Sequence, residues 1–225
     1  MEFEHGTSVL GAQPVLTVRG LQKTLGTTVI ASDMTFDLLP GAHALTGANG
    51  TGKTTLLAMC AGAEPMDAGN ITIAGEDIVQ SPVRARKHLG WLPDEPCVYS
   101  FLTGQAFLNL VAAAKDSANS DAIPDYLQRF RLSHLLSLRF DAMSLGMQRK
   151  FMLVAALIGN PHLLILDEPT NGFDSEALAC LVEIITARSA ASCVLLSTHD
   201  EGFLQRTKAT CWALADGHVR RRHHG

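Results

Sequence analysis

Residues 15–19 (VLTVR) and 34–38 (MTFDL) alternate apolar with polar or small side chains, the period-two pattern of strands in a half-exposed antiparallel sheet. A Pro40-Gly41 turn precedes residues 42–46 (AHALT), a short strand that runs into a glycine-rich loop and then a helical stretch over 53–61. Residues 70–74 and 89–92 predict two more strands. From about 93 to 150 the period changes. Phe107, Leu108 and Val111 share a helical face within 103–115, and 123–138 continues helical around Pro124, so this stretch predicts a helical lobe inserted in the core. Ser144 stands as the N-cap of a helix that runs through Ile158 and is ended by Gly159, Asn160 and Pro161. Residues 162–167 (HLLILD) are apolar without alternation up to an acidic end, as expected of a parallel strand covered on both faces. A helix over 175–188 and a second such strand at 193–197 follow. Strand, helix and strand in repetition predict an α/β fold with a mostly parallel sheet, preceded by an N-terminal antiparallel β subdomain. The expected limits are a flexible arm over 1–14, one domain over 15–220 and a basic tail over 221–225.

Composition narrows the class. The 225 residues are 47% apolar and 18% charged, ample for a buried core and incompatible with a wholly disordered chain. No apolar stretch approaches the roughly 20 residues that span a bilayer as a helix. The first residues include Glu2, Glu4 and His5, without the basic and apolar regions of a secretory signal, so the expected compartment is the cytosol. Cys60, Cys97, Cys180, Cys193 and Cys211 are scattered with no C-x-x-C pair and read as reduced thiols. A formal charge of −4 gives no general reason to expect nucleic acid as a partner. The basic stretches 84–88 and 218–224 read as solvated segments, and His43, His134 and His162 lack ligand-like spacing.

Two segments carry chemistry. Gly47, Asn49, Gly50, Thr51, Gly52, Lys53 and Thr54, with Thr55 following, fit G-x-x-x-x-G-K-[ST] between a strand and a helix. Backbone N–H groups of such a loop turn inward around phosphate oxygens, and the helix N-terminus favours an anion. Lys53 is then expected on the β- and γ-phosphates and the Thr54 hydroxyl on Mg²⁺. The second segment is the strand 163–166, which delivers Asp167 and Glu168 to its carboxyl end, where ligands of open α/β sheets bind. Asp167 is expected in the Mg²⁺ shell, and Glu168 is placed to activate a water aimed at the γ-phosphate.

Taken with three further segments, the chain resembles the ATP-binding subunit of an ABC transporter. Ser144, Leu145, Gly146, Met147 and Gln148 are similar to the family's signature at the start of a helix. Asn171 to Asp174 resemble its D-loop, and Ser197 to Asp200 its switch-histidine loop. The resemblance covers residues 15–220 and implies a P-loop NTPase core, ATP and Mg²⁺, and hydrolysis with Glu168, Lys53 and His199 as catalytic groups. It further implies a head-to-tail dimer of cassettes in which Ser144, Gly146 and Gln148 contact the nucleotide of the partner. Such a dimer sits on the cytoplasmic face of the membrane against a membrane-spanning permease subunit. Leu25 stands where the family normally has an aromatic that stacks on adenine, so weaker base stacking is expected. Asp94, with Glu95 as rival, stands for the glutamine that joins the Mg²⁺ site to the membrane subunit, and Leu145 and Met147 depart from the usual small residues. The S-x-G-M signature and the tryptophan-leucine-proline-acidic segment at 91–94 are similar to exporters. The readings set beside this are a soluble ABC ATPase and an ATP-gated regulatory module. The sequence lacks the doubled cassette or long coiled coil usual in the former.

Overall fold

The computed structural model describes residues 13–117 and 122–222. Most of the arm expected over 1–14, and residues 223–225 of the expected tail, lie outside the described residues. Two sheets organise the chain. The first is antiparallel, ordered β2-β1-β4-β5, from β1 (Leu16–Leu25), β2 (Thr28–Leu38), β4 (Ala68–Ile73) and β5 (Glu76–Asp77). The second contains β3 (Gly41–Thr46), β6 (Leu89–Leu92), β7 (Leu163–Leu166), β8 (Cys193–Ser197), β9 (Thr210–Ala215) and β10 (His218–Arg221). Its order is β10-β9-β3-β8-β7-β6, with every pairing parallel except β10 on β9. Seven helices complete the described fold: α1 (Lys53–Cys60), α2 (Pro82–Lys87), α3 (Gly104–Ala114), α4 (Ala122–Arg129), α5 (Leu145–Leu157), α6 (Ser175–Arg188) and α7 (Glu201–Thr207).

The central strands are the unalternating apolar runs. All four residues of β7 and all five of β8 are buried, because the outer helices cover one face of this sheet and α1 with the antiparallel sheet covers the other. One apolar cluster joins the outer helices to the sheet: Leu108, Phe130, Phe140 and Phe151 pack with Leu164, Leu166, Val194 and Leu196. A second lies between the antiparallel sheet and the other face, with Leu16, Val18 and Ile71 against Leu57, Ile165 and Leu195. Residues 93–150 contain α3, α4, two short 3₁₀ turns and the start of α5. The second half of α5 leaves that region and packs on β6 so closely that a Cβ on Gly90 would stand 2.1 Å from the Ala156 carbonyl oxygen.

Three expectations need correction. The strand foreseen at 34–38 begins already at Thr28, because consecutive buried Ile30 and Ala31 and a left-handed Asp33 break the alternation. The helix foreseen over 123–138 stops at Arg129, where Arg131 turns left-handed and a 3₁₀ turn over Ser133–Leu135 follows. The basic segment 218–221 is an edge strand paired with β9, its register running from His218 opposite Ala215 to Arg221 opposite Trp212. Sheet pairing uses the main chain, so charged side chains on an exposed edge do not prevent it, and they discourage further pairing.

Candidate active site

The loop after β3 and the start of α1 form one wall of a cleft of about 480 Å³. Gly52, the residue before α1, has φ +94°, and a Cβ there would lie 2.7 Å from two carbons of Ile30, so only glycine lets the loop close against β2. Lys53 is buried although charged, and its Nζ donates to the carbonyls of Gly47 (2.9 Å) and Ala48 (3.1 Å). The Thr51 hydroxyl donates to the same Ala48 oxygen at 2.9 Å, stiffening the loop. Asn49, Gly50, Gly52, Lys53, Thr54 and Thr55 line the cleft, and Leu25, Thr28 and Ile30 give it an apolar end.

Glu168 and His199 line the same cleft. They arrive from adjacent parallel strands, because β7 and β8 run in register and end side by side. Asp167 is almost fully buried at the end of β7, its N–H donating to Leu92 O at 2.8 Å. Its Oδ1 accepts from the Ser197 hydroxyl at 2.5 Å, whereas its Oδ2 is buried without a hydrogen-bond partner. An orphaned carboxylate oxygen of that kind fits a cation, and with the Thr54 hydroxyl it supplies the hard oxygen donors that Mg²⁺ prefers.

Glu168 lies one residue beyond, at φ +43°, a backbone conformation costly for a side chain with a Cβ. Its N–H donates to Ser197 Oγ at 2.9 Å, and its carbonyl accepts from Arg149 Nη2 at 2.9 Å and from the Asn171 N–H at 3.1 Å. Glu168 Oε1 stands 3.4 Å from His199 Nε2. Burial pushes the Glu168 carboxyl above its ordinary range. His199 and Lys53 oppose that shift, and Asp167 and Asp94 add to it. A carboxylate with raised proton affinity beside a phosphate loop is suited to take a proton from water.

The signature residues lie elsewhere. Ser144 caps α5, its hydroxyl accepting from the Met147 N–H at 3.3 Å. Gly146 faces the Gly172 carbonyl so closely that a Cβ would stand 2.5 Å from that oxygen. Gln148 donates to the carbonyls of Phe140 (2.8 Å) and Met143 (3.3 Å). None of the three borders the cleft of its own chain. Asp94, expected at the metal, is also absent from the cleft walls. Its Oδ1 accepts from Arg149 Nη1 (3.2 Å) and Asn171 Nδ2 (3.0 Å), while Glu95 is exposed. Asp174 caps α6 and pairs with Lys150 at 2.5 Å, and that hydrogen bond, then the Ala177 N–H, hold its carboxyl below the ordinary range.

Two site residues were not singled out from the sequence. Ser197 joins Asp167 to the Glu168 peptide, and its signal was its place as the last residue of an apolar strand. Arg149 reaches the Asp167 and Glu168 carbonyls and the loop after β6, and its signal was only one of two adjacent basic residues near the start of α5.

Comparison with known proteins agrees with this geometry. Residues 31–171 match the profile described as ABC transporter. An uncharacterized ABC transporter ATP-binding protein of Bacillus subtilis is 30% identical over 191 residues, 84% of this chain. The chain spans 62% of that relative's length. The lipopolysaccharide export system ATP-binding protein of Escherichia coli K12 is 30% identical over 215 residues, 91% of this chain and 88% of that protein. A solved structure of the ATP-binding subunit of an ABC transporter superimposes with a TM-score of 0.83 at 31% identity, covering 92% of this chain and 89% of the other.

Proposed function

The chain belongs to the ABC transporter family, and from that premise we propose that it binds and hydrolyses ATP to drive export through a separate membrane-spanning subunit. The observation that carries this reading is the convergence of Lys53, Thr54, Glu168 and His199 on one cleft, with the orphaned Asp167 oxygen behind it. Lys53 exchanges its two loop carbonyls for the β- and γ-phosphates, while the loop N–H groups surround the phosphate oxygens. Thr54 and Asp167 would hold Mg²⁺, with Asp94 as a further carboxylate once its loop moves. Bound there, Mg²⁺ neutralises phosphate charge. Glu168 orients a water in line with the γ-phosphorus and accepts its proton, and His199 steadies both Glu168 and the γ-phosphate.

Ser144 and the N-terminus of α5 do not border the cleft of their own chain, which supports completion of each site by a second copy, in a head-to-tail homodimer. No helix among the described residues is long and apolar enough to cross a membrane. On this proposal, the transport path belongs to a separate membrane-spanning subunit and the cassette sits at the cytoplasmic face of the cell membrane. The export reading also draws on the E. coli relative, whose name places it in lipopolysaccharide export.

The purified protein tests the chemistry. Glu168→Gln should keep ATP binding and lose most turnover, and Lys53→Ala should weaken ATP binding itself. Undiminished hydrolysis by the first variant, or unchanged affinity in the second, contradicts the assigned roles. Affinity capture from detergent-extracted membranes should retain a multi-span protein. A purely soluble pool without one would contradict the transport role.

A further inference from the structure

Arg149 is among the largest fully buried side chains of the described residues, with 1% of its surface exposed. It projects from the second turn of α5, the helix capped by Ser144. A buried guanidinium is held by partners that offset its desolvation, and here those partners share one geometric theme. Nη1 faces the loop after β6, at 3.4 Å from Pro93 O and 3.2 Å from Asp94 Oδ1. Nη2 faces the end of β7, at 3.3 Å from Asp167 O and 2.9 Å from Glu168 O. Three of these four acceptors are main-chain carbonyls, so the guanidinium does more than pair with the carboxylates of Asp94, Asp167 and Glu168 that surround it. The fork spans the ends of two neighbouring parallel strands, and its stem runs past Gly172, where an added Cβ would lie 3.5 Å from Arg149 Cδ.

The shortest of these bonds ends on the peptide that most needs holding. Glu168 has a left-handed backbone, its N–H fixed by Ser197 and its carbonyl by Arg149. We propose that Arg149 is a positioning residue for hydrolysis: it locks the Glu168 peptide in this conformation and thereby aims the Glu168 carboxylate at the attacking water. The proposal rests on the reading of Glu168 as the group that activates water. Because the same guanidinium grips Asp94, a shift of the loop after β6 changes the aim of Glu168 through Arg149. Lysine cannot replace it, since one ammonium cannot span both strand ends, whereas the planar fork does.

A four-variant cycle on the full chain tests this, measuring steady-state ATP hydrolysis and, separately, affinity for Mg·ATP. The variants are the wild type, Arg149→Lys, Glu168→Gln and the double variant. Misplacing a reacting group by about 1 Å costs on the order of 100-fold in rate, so Arg149→Lys should lower kcat about 10- to 100-fold with ATP affinity changed less than about threefold. In the Glu168→Gln background the same substitution should lower the residual rate no further, because the group it positions is already gone. An equal loss in both backgrounds overturns the proposal, as does an unchanged kcat in Arg149→Lys. Turnover retained by Glu168→Gln would instead refute the reading of Glu168, a separable result. Arg149→Gln, neutral and able to donate to only one strand end, is the second variant and should show the same pattern. If neither variant yields folded protein, Arg149 belongs to the core and the proposal fails.

Discussion

Removing the Ser197 hydroxyl should be among the most expensive single-atom deletions in the protein. Ser197 is completely buried at the end of β8, and its Oγ makes two hydrogen bonds: donation to Asp167 Oδ1 at 2.5 Å and acceptance from the Glu168 N–H at 2.9 Å. A hydrogen bond to a charged group contributes about 1.5 to 3 kcal/mol and a neutral one about 0.5 to 1.5 kcal/mol. Both are lost in Ser197→Ala, and Asp167 Oδ2 already lacks a partner, so the buried carboxylate has no other side-chain donor to fall back on. The expected loss is about 2 to 4 kcal/mol, or roughly 5 to 15 °C in Tm for a domain of this size. Urea unfolding followed by circular dichroism measures it on the nucleotide-free protein. Repeating the measurement with saturating Mg·ATP adds a sharper test, because a cation on Asp167 supplies a substitute partner and should narrow the gap between variant and wild type. A loss below about 0.5 kcal/mol without nucleotide would refute the hydrogen-bond reasoning. A gap that nucleotide leaves untouched would refute the placement of Asp167 at the cation.

Gly90→Ala should destabilise the protein by about 3 kcal/mol, since the new Cβ meets the Ala156 carbonyl oxygen at 2.1 Å and neither backbone can yield; a Tm within about 3 °C of wild type would show that α5 shifts freely. Burial lowers the affinity of His43 for protons, its Nδ1 accepting from Trp212 Nε1 at 3.2 Å and its Nε2 donating to Leu39 O at 3.0 Å. The folded state thus keeps His43 neutral where the unfolded chain protonates it, so stability is full above the ordinary imidazole range and falls as pH drops through it. His43→Gln should flatten the pH dependence of Tm between neutral and mildly acid solution, and identical slopes would remove His43 as a cause. Leu25→Trp places an aromatic face at the apolar end of the cleft, and stacking worth about 0.5 to 1.5 kcal/mol should tighten ATP about 2- to 12-fold. Fluorescent-nucleotide titration checks it, and unchanged affinity would place the base elsewhere.

What could be read from the sequence depended on whether a feature was local. The phosphate loop needs its glycines and Lys53 in one contiguous stretch, and β7 and β8 are uninterrupted apolar runs, so both were legible. β10 was not, because four residues carrying a histidine and two arginines become a strand only when the edge of β9 is there to pair with. The first half of β2 was hidden because Ile30 and Ala31 are buried side by side and Asp33 turns left-handed, breaking the alternation. α7 has only seven residues, too few for a period to declare itself, and its Asp200 cap gains meaning only once the Phe203 N–H is seen to donate to it. Arg149 was illegible for the same reason: its four acceptors lie 18 to 56 residues away in the chain.

The parallel register explains why so many distant segments serve one cleft. In the order β3-β8-β7-β6, each strand ends at the same edge of the sheet, so the loop bearing Lys53, the His199 turn, the Asp167–Glu168 pair and the Asp94 loop are brought side by side without any of them being neighbours in sequence. Ser144 is the exception, because it does not border the cleft although its helix touches this edge through Gly146, Arg149 and Lys150. Under the proposed head-to-tail dimer, Ser144 acts on the nucleotide held by the partner. On that reading, Ser144→Ala should leave nucleotide binding to the isolated chain intact while lowering the ATP-dependent dimer fraction in size-exclusion chromatography of the Glu168→Gln variant. Loss of binding in the isolated chain would mean that the serine acts within its own cleft after all.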